Sequence, residues 1–546
     1  MKHRLGLLIV AAVLTAPTTF ATAQGEVVKQ LQGWDANLRT LFYHTPQGSH
    51  MMQADLFAAL EQPGGGGRFA DSNYLAQFGF LPPDGPSTLN PNGYPIGFAI
   101  EERANQVGLT CAACHTAEVE VNGERIRIDG APAHLDFDSF YQALATTVRL
   151  NAVSDALFER FAANFGAAEK DKQALRTRLR SASLKLTGGS VLRRPALASG
   201  YGRVDALTQI VNSLAVTDQS APQNMYPVAA PTSYPPLWLT PDLEFVQWVP
   251  IAASPIARNG GQVLGVFGNS NMLPDAGADA FSSSILLKEL TELEDWLKIL
   301  KPPVWDEDLM GPIDADLRDK GAELFRENCA ACHNMAPYRR TDPAVNYFKE
   351  TFIEIGRVDY SVVGTDPAYV LSLLTRRVET NTTTAPLFNG ASEVPAASFF
   401  AATVQANLGR AIAEAQLTQE EFFELNGKRF TKSDDGKPIP YSPQWPPTYL
   451  KASPLAGVWA TGPYLHNGSV PTVYELLSPV EERRKVFWTG GRALDLRRLG
   501  YSSGDAPGRF RFDTSLPGNG NGGHLYPPGG LVHDERMAIV EYLKSQ

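Results

Sequence analysis

Cys111-Ala112-Ala113-Cys114-His115 and Cys329-Ala330-Ala331-Cys332-His333 are the two stretches that decide how this chain is read. Between them they use all four cysteines of the 546 residues. A three-residue step between thiols also suits a redox disulfide or half a zinc site. The histidine directly behind each pair separates these chemistries. Two thiols at this step add to the two vinyl groups of a haem, and the next residue then sits under the iron as its proximal ligand. Two covalently bound haems c are therefore expected, one on Cys111, Cys114 and His115, the other on Cys329, Cys332 and His333.

Working outward from the second motif, residues 316–328 read as a helix with acids in its first turn and Leu317, Leu324 and Phe325 on one broad face. Gly321 and Phe325 precede Cys329 by two helical turns and one. In cytochromes c a glycine so placed lets the first helix cross the last closely, with the aromatic at the crossing. A closing helix is legible at 534–544, with Met537, Val540 and Leu543 on one side. Residues 314–546 thus read as an enlarged cytochrome c domain. The first motif lacks that lead-in. Arg103 and Val107 stand where the glycine and aromatic would be, and Pro82, Pro83, Pro86, Pro91 and Pro95 predict a loop before it. Helices are expected at 138–150, 153–164 and 168–185, then a Pro- and aromatic-rich stretch at 222–255, then a helix at 284–300 stopped by Pro302-Pro303. The fold class is mainly α, with two enlarged cytochrome c-type haem domains, long loops and little β. The domains are expected at 24–300 and 314–546, joined by a linker at 301–313.

Met1-Lys2-His3-Arg4 is basic, residues 5–16 are largely apolar, and Ala21-Thr22-Ala23 is a small-residue cleavage site. This predicts a secretory signal peptide over 1–23 and a periplasmic or secreted protein; an N-terminal anchor helix is the alternative reading. Cleavage after Ala23 removes Lys2 and Arg4 and no acid, taking the formal charge of -10 to -12. No other stretch approaches the apolar length of a membrane span. An acidic chain without a broad Lys/Arg field also argues against a nucleic-acid partner.

Three further blocks carry a resemblance. They are Gly108 to Thr116 with Arg127-Ile128-Asp129-Gly130, then Gly462-Pro463-Tyr464-Leu465-His466-Asn467-Gly468-Ser469-Val470-Pro471-Thr472, then Phe512-Asp513-Thr514-Ser515-Leu516-Pro517-Gly518-Asn519-Gly520. The chain resembles the bacterial di-haem cytochrome c peroxidase superfamily, and within it the branch of rubber oxygenases and di-haem fatty-acid dioxygenases. Trp248 and the run from Arg258 to Phe267 also look like that branch. The resemblance implies that one haem, usually the N-terminal one, performs chemistry on peroxide or oxygen while the other moves or stores electrons. Some relatives carry a Ca2+ between the domains, so that ion is a further candidate.

The remaining ligands are open at this point. For the second haem a distal His is expected, His524 in its glycine-rich loop before His466, since Met335, Met537 and Met310 are poorly placed. For the first haem, His134 is the candidate for a removable ligand. The alternative is an apolar distal wall of Phe245, Trp248 and Phe267, with Arg258 as a polar donor or a surface ion pair. Phe267, Trp248 and Arg258 are accordingly the candidate catalytic residues. Three functions follow. The first is a haem-dependent oxygenase using O2 on an unsaturated lipid or polyisoprenoid. The second is a peroxidase reducing H2O2 with electrons from a small cytochrome or cupredoxin. The third is a pure electron-transfer cytochrome.

Overall fold

The computed structural model describes residues 27–546, so the signal peptide read at 1–23 lies outside the described residues. The chain is mainly helical, 41% helix to 15% strand, without a barrel. The predicted helices are present as Phe137–Val153, Asp155–Phe165, Lys172–Arg193, Leu287–Ile299, Ala315–Asn328 and His533–Lys544. Capping explains two of the boundaries. Asp136 accepts from the Ser139 N–H to start the first of these, and Ser154 ends it while accepting from Leu157 to start the next. The third runs past the predicted end at 185 through Gly188 and Gly189. A Cβ at Gly189 would stand 2.2 Å from the Tyr141 hydroxyl, so that glycine permits the close approach of helix Phe137–Val153.

The proline-rich stretch 82–95 is the expected loop, and between it and Cys111 stands a hairpin, Phe98–Glu101 against Gln106–Leu109; Thr110 caps the single turn Cys111–Cys114. A second hairpin, Thr116–Val121 with Glu124–Asp129, follows the motif directly. Its turn is Asn122-Gly123, both at positive φ, as a tight two-residue connection demands. Strand residue Glu120 also bridges to Ala493, so the C-terminal half completes this small sheet.

At the second motif, helices Ala315–Asn328 and His533–Lys544 cross where expected. A Cβ on Gly321 would lie 2.0 Å from the Ala538 carbonyl oxygen, and the Phe325 and Tyr542 rings sit 5.1 Å apart at the crossing. The stretch 301–313 is packed into the body of the protein. Trp305 lies edge-on to Trp459 with ring centres 5.7 Å apart, and Met310 is buried. The largest apolar core draws on both halves, from Trp34 and Ile128 to Trp459 and Leu543.

Candidate haem sites

The two Cys-x-x-Cys-His segments are built alike. All four cysteines are partly buried, and none is paired in a disulfide. Burial pushes the Cys111 and Cys114 thiols up to about 12 and that of Cys329 up to about 11. His115 Nδ1 lies 2.9 Å from the carbonyl oxygen of Pro235, and His333 Nδ1 lies 2.8 Å from that of Ser453. In both cases the carbonyl comes 120 residues after the histidine. Donation to a carbonyl fixes the tautomer and leaves Nε2 as a lone-pair donor. Burial lowers both imidazoles, His115 to about 4, so the neutral, ligating form holds at ordinary pH.

The space beyond His333 is a cavity of about 270 Å3, walled by Cys329, Cys332, Phe325, Leu450, Ile539 and His524 among others. The His333 and His524 ring centres stand 6.0 Å apart. Two imidazoles sharing one metal stand about 6 Å apart, given about 2 Å per metal–nitrogen bond and about 1 Å from nitrogen to ring centre. The residues present therefore fit a covalent haem with a histidine on each face. His524 is held by its loop. It takes a left-handed φ of 51°, its N–H donates to the Val363 carbonyl, and Arg483 donates to the carbonyls of Asn521 and Gly523 at 2.6 and 2.9 Å. Burial lowers the His524 ring to about 3, with His333 and Arg483 adding to the fall.

His466 is buried but faces Trp248 and Tyr369, each 6.4 Å away between ring centres. It lines the same cavity without a ring contact to His333. Its neighbour Asn467 donates to the carbonyls of Gly518 and Gly520, tying the Pro-Tyr-Leu-His-Asn-Gly block to the loop that carries His524.

Around His115 the arrangement differs. Its one ring contact among the described residues is Tyr234, 6.3 Å away on the side of the Pro235 strap. His134 turns away onto Tyr501, with ring centres 4.5 Å apart, and its Nε2 is buried without a partner. The expected aromatic wall does not assemble. Phe245 packs on Trp445, Trp248 donates to the Ser233 carbonyl in the wall of the His333 cavity, and Phe267 packs on Phe137 and Tyr141. Each was claimed by a separate apolar cluster. Arg258 is neither a free donor nor a surface ion pair. It is buried and paired with Glu294, which also accepts from Asn259. Its charge is felt at both Cys111 and His115.

Sequence reasoning missed the carbonyls of Pro235 and Ser453. The signal was there in Pro235-Pro236 and Ser453-Pro454, since proline holds a chain extended and removes competing N–H donors. Among the described residues no three His, Cys, Asp or Glu side chains gather to hold a bare metal ion, so the Ca2+ candidate has no side-chain cluster behind it. No helix among them is long and apolar enough to cross a membrane.

Comparison with known proteins adds the family. An alignment of 575 positions, spanning 94% of this chain and 92% of the relative, is 31% identical to the protein y4iJ of Sinorhizobium fredii. The chain belongs to the same family as y4iJ. A second protein of that organism, y4iM, is 26% identical over 330 positions, covering 59% of this chain and 60% of the relative. Residues 449–489 match the RoxA-like, cytochrome c-like family model. That segment contains both Ser453, the acceptor for His333, and the His466 block. The match supports a rubber oxygenase-like cytochrome and a haem-based oxidoreductase.

Proposed function

We propose that the protein is an exported di-haem c-type cytochrome that oxygenates an unsaturated apolar substrate, a lipid or polyisoprenoid, with O2. The observation that carries this reading is the asymmetry of the two sites. His333 has His524 opposite it at 6.0 Å, whereas His115 has no second imidazole in ring contact among the described residues. Haem bound at such sites would supply a redox-active iron, which His333 and His524 would hold in one case and His115 in the other.

The chain's own residues do the rest. Cys111 and Cys114 would hold one haem edge while the Pro235 carbonyl orients His115; Cys329 and Cys332 would do the same at the second site, where the Ser453 carbonyl orients His333. His524 would be the second residue holding the haem at the His333 site, which would suit that site to storing electrons. Pro235, the acceptor for His115, is also in the wall of the His333 cavity, so one strap touches both sites. The peroxidase reading calls for a gating histidine, and His134 packs on Tyr501 instead.

The test is an EPR spectrum of the isolated protein, followed by CO titration of its reduced form. One low-spin centre that ignores CO and one centre that binds it are expected. Oxygen uptake with an unsaturated lipid or polyisoprene, yielding carbonyl-containing cleavage products, checks the substrate. Two low-spin, CO-silent centres would leave electron transfer as the function.

A further inference from the structure

Helix Lys172–Arg193 opens a stretch unlike the rest of this acidic chain. Residues 172–204 hold eight Lys and Arg and no Asp or Glu, in a sequence with a formal charge of -10. The longer acid-free stretch 436–474 holds only Lys437 and Lys451. The helix buries Leu175, Leu179, Ser183 and Leu186 on its inner face. Its outer face runs at helical spacing through Thr177, Arg180, Leu184, Gly188 and Val191, all exposed. Polar and charged side chains are the rule on such a face. Here Leu184 is 77% exposed and Val191 61%, and a Cβ on Gly188 between them would meet nothing within 4 Å.

The cations around this face are not all spent within the protein. Lys172 pairs with Glu159 and Glu169, Arg176 with Asp155 and Arg178 with Asp55. Arg193 and Arg203 are buried, and Lys185 donates to the His50 carbonyl and the Asn269 side chain. Arg180 and Arg194 are exposed and have no side-chain hydrogen bond or ion pair among the described residues. A third such cation comes from helix Phe137–Val153. There Gln142 donates to the Ser190 carbonyl and Ala152 accepts from Arg176, so the two helices run antiparallel and Arg149 stands beside the Arg180 turn. Arg149 is exposed and unpaired as well. Bare apolar side chains elsewhere lack this setting. Asp306, Glu307 and Asp308 follow exposed Val304, and Asp359 and Asp366 flank exposed Val362.

We propose that the outer face of helix Lys172–Arg193, with Arg149 and Arg194, docks the protein on an anionic lipid surface. Leu184 and Val191 enter the boundary between head groups and acyl chains, while Arg149, Arg180 and Arg194 meet lipid phosphates. An acidic protein partner calls for cations at the centre of the face. Here Leu184, Gly188 and Val191 hold the centre, Arg180 and Arg194 its two ends and Arg149 one side, which suits a layer with chains beneath charged head groups. The helix lies on the surface and does not enter it lengthwise, since no helix among the described residues is long and apolar enough to cross a membrane. The assignment stands apart from the haem chemistry, and vesicle binding tests it without turnover.

Sedimentation of the holoprotein with sucrose-loaded vesicles is the experiment. Vesicles of phosphatidylcholine and phosphatidylglycerol in equal parts should bind the protein, phosphatidylcholine vesicles should not, and added salt should weaken the binding. Each cation removed should weaken it about fivefold, so Arg149→Gln, Arg180→Gln and Arg194→Gln together should lose on the order of a hundredfold. Leu184→Ser with Val191→Ser should also weaken vesicle binding, yet leave retention on a heparin column, which reads charge alone, unchanged. The substituted side chains are all exposed, so haem content and far-ultraviolet circular dichroism should match the parent. If a combined variant fails to accumulate, Arg180→Gln alone, with its expected loss of about fivefold, gives the reading. No binding to the mixed vesicles, equal binding to both kinds, or binding that the arginine substitutions leave unchanged overturns the proposal. Binding that falls with the arginines but ignores Leu184→Ser and Val191→Ser overturns the lipid assignment and leaves an acidic protein as the occupant.

Discussion

Replacing Gly321 with Ala sets two opposed effects against each other in helix Ala315–Asn328. Alanine in a helix interior is favoured over glycine by about 1 kcal/mol. The added Cβ, however, would stand 2.0 Å from the carbonyl oxygen of Ala538, where real contacts do not fall below 3.0 Å. The obstacle is backbone, so the helices must part by about 1 Å, and overpacking of that kind costs about 1–3 kcal/mol. The clash should win, with a net loss of about 1–2 kcal/mol. Gly409 provides the control. It lies inside helix Ala396–Ala415 with nothing within 4 Å of its Cβ position, so alanine there should stabilise by up to about 1 kcal/mol. Urea unfolding of the holoprotein, followed by far-ultraviolet circular dichroism, reads both variants. Phe325 and Leu543 belong to the crossing pair and to the His333 cavity wall, so Gly321→Ala should also perturb the low-spin optical bands, while Gly409→Ala leaves them alone. If Gly321→Ala stabilised the protein as Gly409→Ala does, the close crossing would not exist and this account of the second site would fail.

His524→Ala should turn one haem from low to high spin in the EPR spectrum, and added imidazole should restore the original signal; an unaltered spectrum would remove His524 from the site. Cys111→Ala and Cys329→Ala should each yield about one haem per chain by pyridine haemochrome assay, against two in the parent, and acid–acetone should leave the parent's haems on the polypeptide. Asp138 is buried and held up at about 6 by loss of water, above its ordinary 3.8. An acid whose pKa is raised by folding favours the fold below the unfolded value, and the advantage is lost as pH rises through about 6. Asp138→Asn should therefore flatten the stability profile between pH 4 and 7, gaining up to about 3 kcal/mol on the alkaline side, as read by urea midpoints across pH.

What the sequence made legible was whatever short-range spacing encodes. The two Cys-x-x-Cys-His segments, the amphipathic helices and the Gly321–Phe325 step all repeat within a few residues, and the structure bears out those helices and that crossing. The Asn122-Gly123 hairpin was equally local, but no strand was read between the first motif and the helix expected from 138, because alternation over six residues is a weak signal. The aromatic wall failed for another reason. Trp248 and Phe267 lie near one another along the chain, yet helix Pro255–Gly265 runs between them and carries Phe267 into a different core. His524 was readable as a candidate because glycines and a closing helix bracket it, and its ring centre stands 6.0 Å from that of His333.

The acceptors of both proximal histidines, Pro235 and Ser453, act through main-chain oxygens. Every amino acid carries that atom, so no point substitution at either position can delete it. Under the di-haem reading proposed above, the electron density these contacts would push toward each iron would be shielded from ordinary mutational drift, while side chains around the sites remain free to diverge. Change at these two contacts must come from insertions or deletions that shift a strap against its histidine. Relatives with different redox behaviour should thus differ in strap length more than in strap composition, a pattern that comparison of segment lengths across the family can expose.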